Sequence, residues 1–262
     1  MLPPSIIILT INLSSAERRR ASISAQMEQL GLQTQFVEAV AGKDLTAEQK
    51  ACYRASRTRR YYNYELTPNE QACVLSHRKA LGEFLQSGAE YAVVLEDDAE
   101  LQPAFIAGIR ELTERLQGWD MAKLQVGSGI RTYPLLPESG ACLRPVFTRK
   151  FGSVAVGFLY TRRAACILYE QMQQFWLPAD TMIYQVALEQ GLRIIGTLPE
   201  LVRVAPMPST IDTAGAAARG VTKGKRSLCQ YLRHRALLWG NALRKMRMLA
   251  LLRRSLRRLP PP

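Results

Sequence analysis

The run Ala92-Val93-Val94-Leu95-Glu96-Asp97-Asp98 constrains this chain more than any other stretch. Val93, Val94 and Leu95 read as a strand buried on both faces. Three carboxylates follow without a spacer. In α/β sheets, ligands bind at the carboxyl ends of the strands. Uncompensated, three adjacent acids repel one another and some of them stay protonated. A divalent cation removes that penalty, and all-oxygen donors suit Mg²⁺ or Mn²⁺, which leave positions open for phosphate oxygens. The plainer alternative is a solvated acidic turn ahead of a helix that Pro103 helps to start.

At 262 residues the chain can bury a full core, and its 47% hydrophobic content is that of a soluble globular protein. Charge is unevenly distributed. All 22 acids lie at or before Asp212, and 13 of the 35 Lys and Arg follow it. Residues 1–212 therefore balance, and the net +13 belongs to the last 50 residues. The five cysteines (Cys52, Cys73, Cys142, Cys166, Cys229) form no Cys-x-x-Cys pair. Neither a disulfide framework nor a zinc knuckle is indicated, and a reducing cytoplasm fits. With only His77 and His234, a Cys/His metal site is not expected. The apolar stretch from Ser5 to Ile11 is too short for a signal peptide, and no run of about 18 apolar residues spans a membrane.

Several local signals set the organisation. Ile6 to Ile11 predicts a buried first strand, and Ser14 with Glu17 a capping box for a helix ended by Gly31. Gln35 to Val40 predicts a second, parallel strand. Residues 41–66 read as an irregular loop whose basic, tyrosine-rich patch from Arg57 to Tyr64 is suited to lie near a sugar or phosphate. Thr67-Pro68-Asn69-Glu70 opens a helix through Ser76 and His77, with Glu70 as the capping carboxylate. A helix is expected over residues 102–117, a strand from Met121 to Val126, a loop-rich stretch over 127–150, and a strand around Gly157 where another backbone or a ligand comes close. Asp180, after Leu177-Pro178-Ala179, is a plausible helix cap. Residues 213–226 read as a linker, and 227–262 as a basic amphipathic helix stopped by Pro260 to Pro262.

Five stretches, in this order, resemble the bacterial family 25 glycosyltransferases. They are Ile11-Asn12-Leu13 with Arg18-Arg19, Asn69 to His77, Val94 to Asp98, Gly157 to Tyr160, and Pro178 to Asp180. The stretch Asn69-Glu70-Gln71-Ala72-Cys73 departs from the family's Gly-Glu-Ile-Gly-Cys but keeps Glu70 and Cys73. The resemblance covers residues 5–212 and implies a GT-A-like, Rossmann-like α/β sheet flanked by helices, with the basic C-terminal helix outside it. That gives a 1–212 transferase domain, a 213–226 linker and a 227–262 membrane-associating helix.

The resemblance further implies a UDP-sugar donor, galactose before glucose, an acceptor in the lipopolysaccharide or lipooligosaccharide core, and inversion at the anomeric carbon. Mn²⁺ or Mg²⁺ would be held by Asp98 and Glu96, with Asp97 beside them on the donor side, to neutralise the departing diphosphate. Asp180 is the candidate base for the acceptor hydroxyl. Asn12, Arg18, Ser76 and His77 are the candidate donor-binding residues. The tail suits the inner face of the cytoplasmic membrane, where lipid-linked acceptors are assembled, and suits nucleic acid less well. The competing readings are a basic-tailed nucleic-acid- or anionic-lipid-binding protein without catalysis, and a metal-dependent phosphohydrolase.

Overall fold

The computed structural model describes residues 2–3, 5–127, 129–136, 142–149, 154–206 and 227–259. It opens as expected, strand–helix–strand. β1 (Ile6–Asn12) and β2 (Gln35–Glu38) pair in parallel, and α1 (Glu17–Gln29) joins them. Gly31 follows the helix at φ 63°, a conformation that a β-carbon penalises. The capping box at Ser14 does not form. The helix starts after Ala16, which caps nothing with its side chain. The Ser14 N–H instead donates to Glu38 Oε1 at 3.0 Å, because residues 13–16 are spent turning the chain back over the strand end, with Ala16 N–H on Leu13 O.

Residues 41–66 are not an irregular loop. They hold α2 (Ala47–Ala51) and α3 (Ala55–Tyr61). α4 (Pro68–Gln86) starts on the expected signature: Glu70 N–H donates to Thr67 Oγ1 at 3.2 Å, and Thr67 N–H donates to Glu70 Oε2 at 2.9 Å. α4 leads into β3 (Tyr91–Glu96), which pairs in parallel with β1 on the side away from β2. Val93, Val94 and Leu95 are fully buried.

After β3 the chain doubles into β4 (Ala99–Leu101) rather than directly into a helix. The helix expected to Gln117 is short: α5 (Phe105–Arg110), a π-helical turn over Glu111–Arg115, then β5 (Leu116–Gln117). β6 (Met121–Lys123), β7 (Thr132–Pro134), β8 (Arg144–Thr148), β9 (Gly157–Thr161), α6 (Arg162–Gln171), α7 (Ala179–Glu189), β10 (Ile194–Leu198) and β11 (Val202–Val204) complete the body. The stretch expected to be loop-rich thus supplies β7 and β8. The main sheet runs β2-β1-β3-β9-β6-β10-β8-β7. β9 lies antiparallel to both its neighbours, while β6 and β10 are parallel. A β-carbon on Gly157 would meet side chains, Val202 Cγ2 at 3.2 Å and Leu95 Cδ2 at 3.3 Å, so the close approach there is core packing. The whole is a mixed α/β body with a large sheet between helices, consistent with a Rossmann-like fold.

The last helix, α8 (Leu228–Ser255), begins with a capping box between Ser227 and Gln230. It ends well before the prolines, where Leu256 turns extended and β12 (Arg257–Arg258) pairs with β5. The expected linker, 213–226, lies outside the described residues. The helix itself is packed on the body. Met248, Leu252 and Leu256 are buried. Asn241 Nδ2 donates to Gln185 Oε1 of α7 at 2.7 Å, and Gln230 Nε2 donates to Arg59 O of α3 at 2.8 Å. The single apolar side expected from the sequence is therefore two. The inner one is covered, and an outer one leaves Leu228, Leu232, Trp239, Leu243 and Met246 exposed.

Candidate active site

The parallel register places Ile11 opposite Glu96, so Asn12 stands beside the acidic turn. The chain leaves β1 towards β2 and leaves β3 towards the other half of the sheet, and such a divergence opens a crevice at the strand ends. Asn12 Nδ2 donates to Asp97 Oδ2 at 2.8 Å. From the first turn of α1, Arg19 Nη1 donates to Asp97 Oδ1 at 2.8 Å and lies 3.5 Å from Asp98 Oδ2. The expected donor-side residue Arg18 points elsewhere: it is exposed, and Arg19 lines the cleft. One residue is 100° of helix, and that phase was unreadable while the helix start was misplaced at Ser14.

The cleft has a volume of ≈ 130 Å³ and is walled by Asn12, Arg19, Ser76, His77 and the three acids. The acids are not a solvated turn, since Asp97 is only 8% exposed. Each acid has a separate role. Both Asp97 oxygens are engaged, which makes it a wall residue that fixes Asn12 and Arg19. His77 Nε2 donates to Glu96 Oε1 at 3.0 Å, and Cys73 Sγ lies 3.7 Å from the same oxygen. Burial pulls the Glu96 carboxyl up, but the bond and charge of His77, with Cys73 and Arg19, hold it below the usual range. Asp98 is held down only by the longer Arg19 contact and a backbone hydrogen bond. Burial and the neighbouring Glu96 charge, opposed by Arg19, push it up to about 6. Its buried Oδ1 has no hydrogen-bond partner among the described residues. A bare carboxylate oxygen beside an ionised Glu96 is the donor set that a hard divalent cation fits.

Ser76 is framework. Its Oγ accepts from Val40 N–H at 2.9 Å and donates to Ala72 O at 2.8 Å, tying α4 to the exit of β2. His77, buried to 1%, serves Glu96.

Asp180 stands apart. It is not the helix cap, which is Pro178, but the second residue of α7. It lines a small cavity of ≈ 10 Å³ with Lys123, Phe158 and Tyr184. Burial and the charge of Glu96 raise its carboxyl, while Thr181 and Lys123 oppose the rise. Lys123 went unnoticed in the sequence because a lysine in a short strand reads as outward-facing. It is 2% exposed, and burial brings its ammonium down to about 8 against the pull of Asp180, Glu96 and Glu200.

The basic, tyrosine-rich patch does not reach the cleft. Tyr61 packs 5.3 Å from Trp176, Arg57 lies over the same ring at 4.5 Å, and Tyr62 meets His234 of α8 at 5.2 Å. It is the seat of the last helix.

A family model described as Glycosyltransferase family 25 (LPS biosynthesis protein) matches residues 5–132, the segment that holds every residue lining the main cleft. A protein of Aedes aegypti named Glycosyltransferase 25 family member is 28% identical over 121 residues, covering 44% of this chain and 20% of the relative. One of the same name from Drosophila pseudoobscura pseudoobscura is 31% identical over 104 residues, covering 38% of this chain and 17% of the relative. The match thus spans about a fifth of the length of these relatives. Over residues 5–132, its cleft-bearing segment, the chain is similar to glycosyltransferase family 25.

Proposed function

We propose that this chain is an inverting, metal-dependent glycosyltransferase that moves a hexosyl group, galactose foremost, from a UDP-sugar to a hydroxyl of a lipopolysaccharide or lipooligosaccharide core. The observation that carries the reading is the orphaned Asp98 Oδ1 beside Glu96 and Arg19, at the ends of two parallel strands. Asp98 and Glu96 would hold Mn²⁺ or Mg²⁺, which would supply charge neutralisation for a departing diphosphate. Arg19 adds a fixed positive group on the same wall. Asn12 Oδ1, also buried and without a partner among the described residues, is an acceptor for a hydroxyl or N–H of the donor. Asp180 takes the proton of the acceptor hydroxyl as the new bond forms at the anomeric carbon and the bond to the diphosphate breaks. Its environment, with Lys123 alongside, keeps a carboxylate available while burial makes it more basic than usual.

The outer face of α8 supports a peripheral place on an anionic membrane. Leu228 is 73% and Trp239 66% exposed, and Arg233, Arg235 and Arg247 are exposed on the same helix. An apolar stripe between arginines suits the headgroup boundary of a bilayer better than stacked bases. Asn241 of α8 meets Gln185, five residues or ~7.5 Å along α7 from Asp180, which would hold the site near a lipid-linked acceptor. No helix among the described residues is long and apolar enough to cross a membrane.

A donor screen tests the enzyme. UDP release is measured with UDP-galactose, UDP-glucose and UDP-N-acetylhexosamines, in Mn²⁺ and in EDTA. Turnover with one of them, lost in EDTA, is the expected result. A folded chain that turns over none of them in Mn²⁺ defeats the reading and favours a binding protein without catalysis.

A further inference from the structure

Cys73 and His77 are four residues apart on α4, so they share one face of the helix. Glu96 meets them from the end of β3. His77 Nε2 and Cys73 Sγ lie 3.0 and 3.7 Å from Glu96 Oε1, and all three ligand atoms fall within 4.8 Å of one another. Bonds of about 2.0–2.3 Å in a tetrahedral zinc site separate ligand atoms by roughly 3.3–3.8 Å, so closing this trio on an ion takes side-chain adjustments of about an ångström. All three residues also line the main cleft. A fourth coordination position therefore faces solvent, the arrangement of three-ligand zinc sites that keep one position open.

Donor chemistry names the ion. Sulfur and imidazole nitrogen are poor ligands for Mg²⁺ and good ones for Zn²⁺. We propose that Cys73, His77 and Glu96 form a second cation site that takes Zn²⁺ or a similar thiophilic divalent ion, distinct from the Asp98–Glu96 pair. On binding, the Cys73 thiol gives its proton to solvent, and His77 coordinates through Nε2 with its proton on Nδ1. Glu96 belongs to both sets, so the two ions compete for it and Zn²⁺ occupancy inhibits turnover supported by Mn²⁺. Only that inhibitory consequence rests on the transferase reading; the binding site stands on its own geometry.

The test uses the full chain, stripped with chelator and titrated with ZnCl₂ by equilibrium dialysis, then with CoCl₂ by absorbance. One Zn²⁺ per chain is expected, with a thiolate-to-cobalt charge-transfer band. Cys73→Ser and His77→Gln should each weaken binding by at least about tenfold. Asp98→Asn should retain the ion. Full Zn²⁺ binding and an intact cobalt band in Cys73→Ser would overturn the proposal, because the ion would then sit on another cysteine. Should either variant fail to fold, alkylation of Cys73 in the unmodified chain, read by mass spectrometry, decides: Zn²⁺ should protect it, and equal labelling with and without Zn²⁺ rejects the site. Mn²⁺-supported UDP release by the zinc-free chain is scored separately, so loss of one reading leaves the other standing.

Discussion

Asp98 carries a large electrostatic burden in the cleft. Burial and Glu96 raise its carboxyl from 3.8 to about 6. A carboxyl raised on folding contributes stability that is fully present below pH 4 and lost as pH rises through 6. At pH 7 the ion-free protein therefore holds Asp98 charged at a cost on the order of 2–3 kcal/mol. Asp98→Asn should abolish UDP-sugar turnover and yet raise the denaturant midpoint in EDTA at pH 7, with the gain vanishing near pH 4. A variant less stable than the parent at pH 7 refutes the argument. The same proton competes with a bound cation, so the apparent Mn²⁺ affinity should fall by about tenfold per pH unit below pH 6, measurable by titration at fixed ionic strength. The acids were legible in the sequence because a buried strand ended in them. Their division of labour was not. The N–H of Asn12 and the guanidinium of Arg19 select Asp97, and His77 selects Glu96, through contacts between residues up to 85 apart in the chain.

At the scale of elements, periodicity carried most of the information. The β-branched runs of β1 and β3 and the Thr67–Glu70 cap of α4 announced themselves. So did the start of α8 near Ser227, though not its end at Ser255 or its two apolar faces. Apolar residues three and four apart cover a broad arc, and only packing decides which part of it is buried. Leu252 faces inward at 0% exposure, whereas Trp239 and Leu243 face outward at 66% and 57%. Substitutions on the two faces should therefore separate stability from binding. Leu252→Ala should cost about 2–4 kcal/mol in a denaturant melt and leave membrane binding of the folded protein alone. Trp239→Glu with Leu243→Glu should leave the melt unchanged and abolish sedimentation with vesicles containing anionic phospholipid, with neutral vesicles binding neither protein. Sedimentation of the double variant equal to that of the parent would remove the outer face from any role at a bilayer, and a parent dimer in light scattering that the variant loses would assign the face to a second copy instead.

For the molecule as a whole, the question is whether α8 is a tethered arm or part of the body. Charge alone favoured an arm, because neutrality ends at Asp212 and only bases follow. Packing favours a built-in platform. Met248, Leu252 and Leu256 are buried, β12 extends β5, and a β-carbon on Gly118 would strike Ser255 O, a fit that exists only with the helix seated. Beneath it, Tyr62 meets His234 edge-on, and Asn241 satisfies Gln185 on α7, the helix that carries Asp180. Removing residues 227–262 should then do more than release the protein from membranes. It uncovers apolar surface over α3 and α7, where each fully buried aliphatic side chain is worth about 1.5–3 kcal/mol, and a domain of this size loses about 2–4 °C of melting temperature per kcal/mol. The truncated chain should melt many degrees below the full one and lose turnover on a soluble acceptor, whereas the outer-face double variant keeps both. A truncated chain that melts with the parent and retains full turnover on a soluble acceptor would make α8 a detachable arm, and would transfer the burden of holding α7 and Asp180 to the body alone.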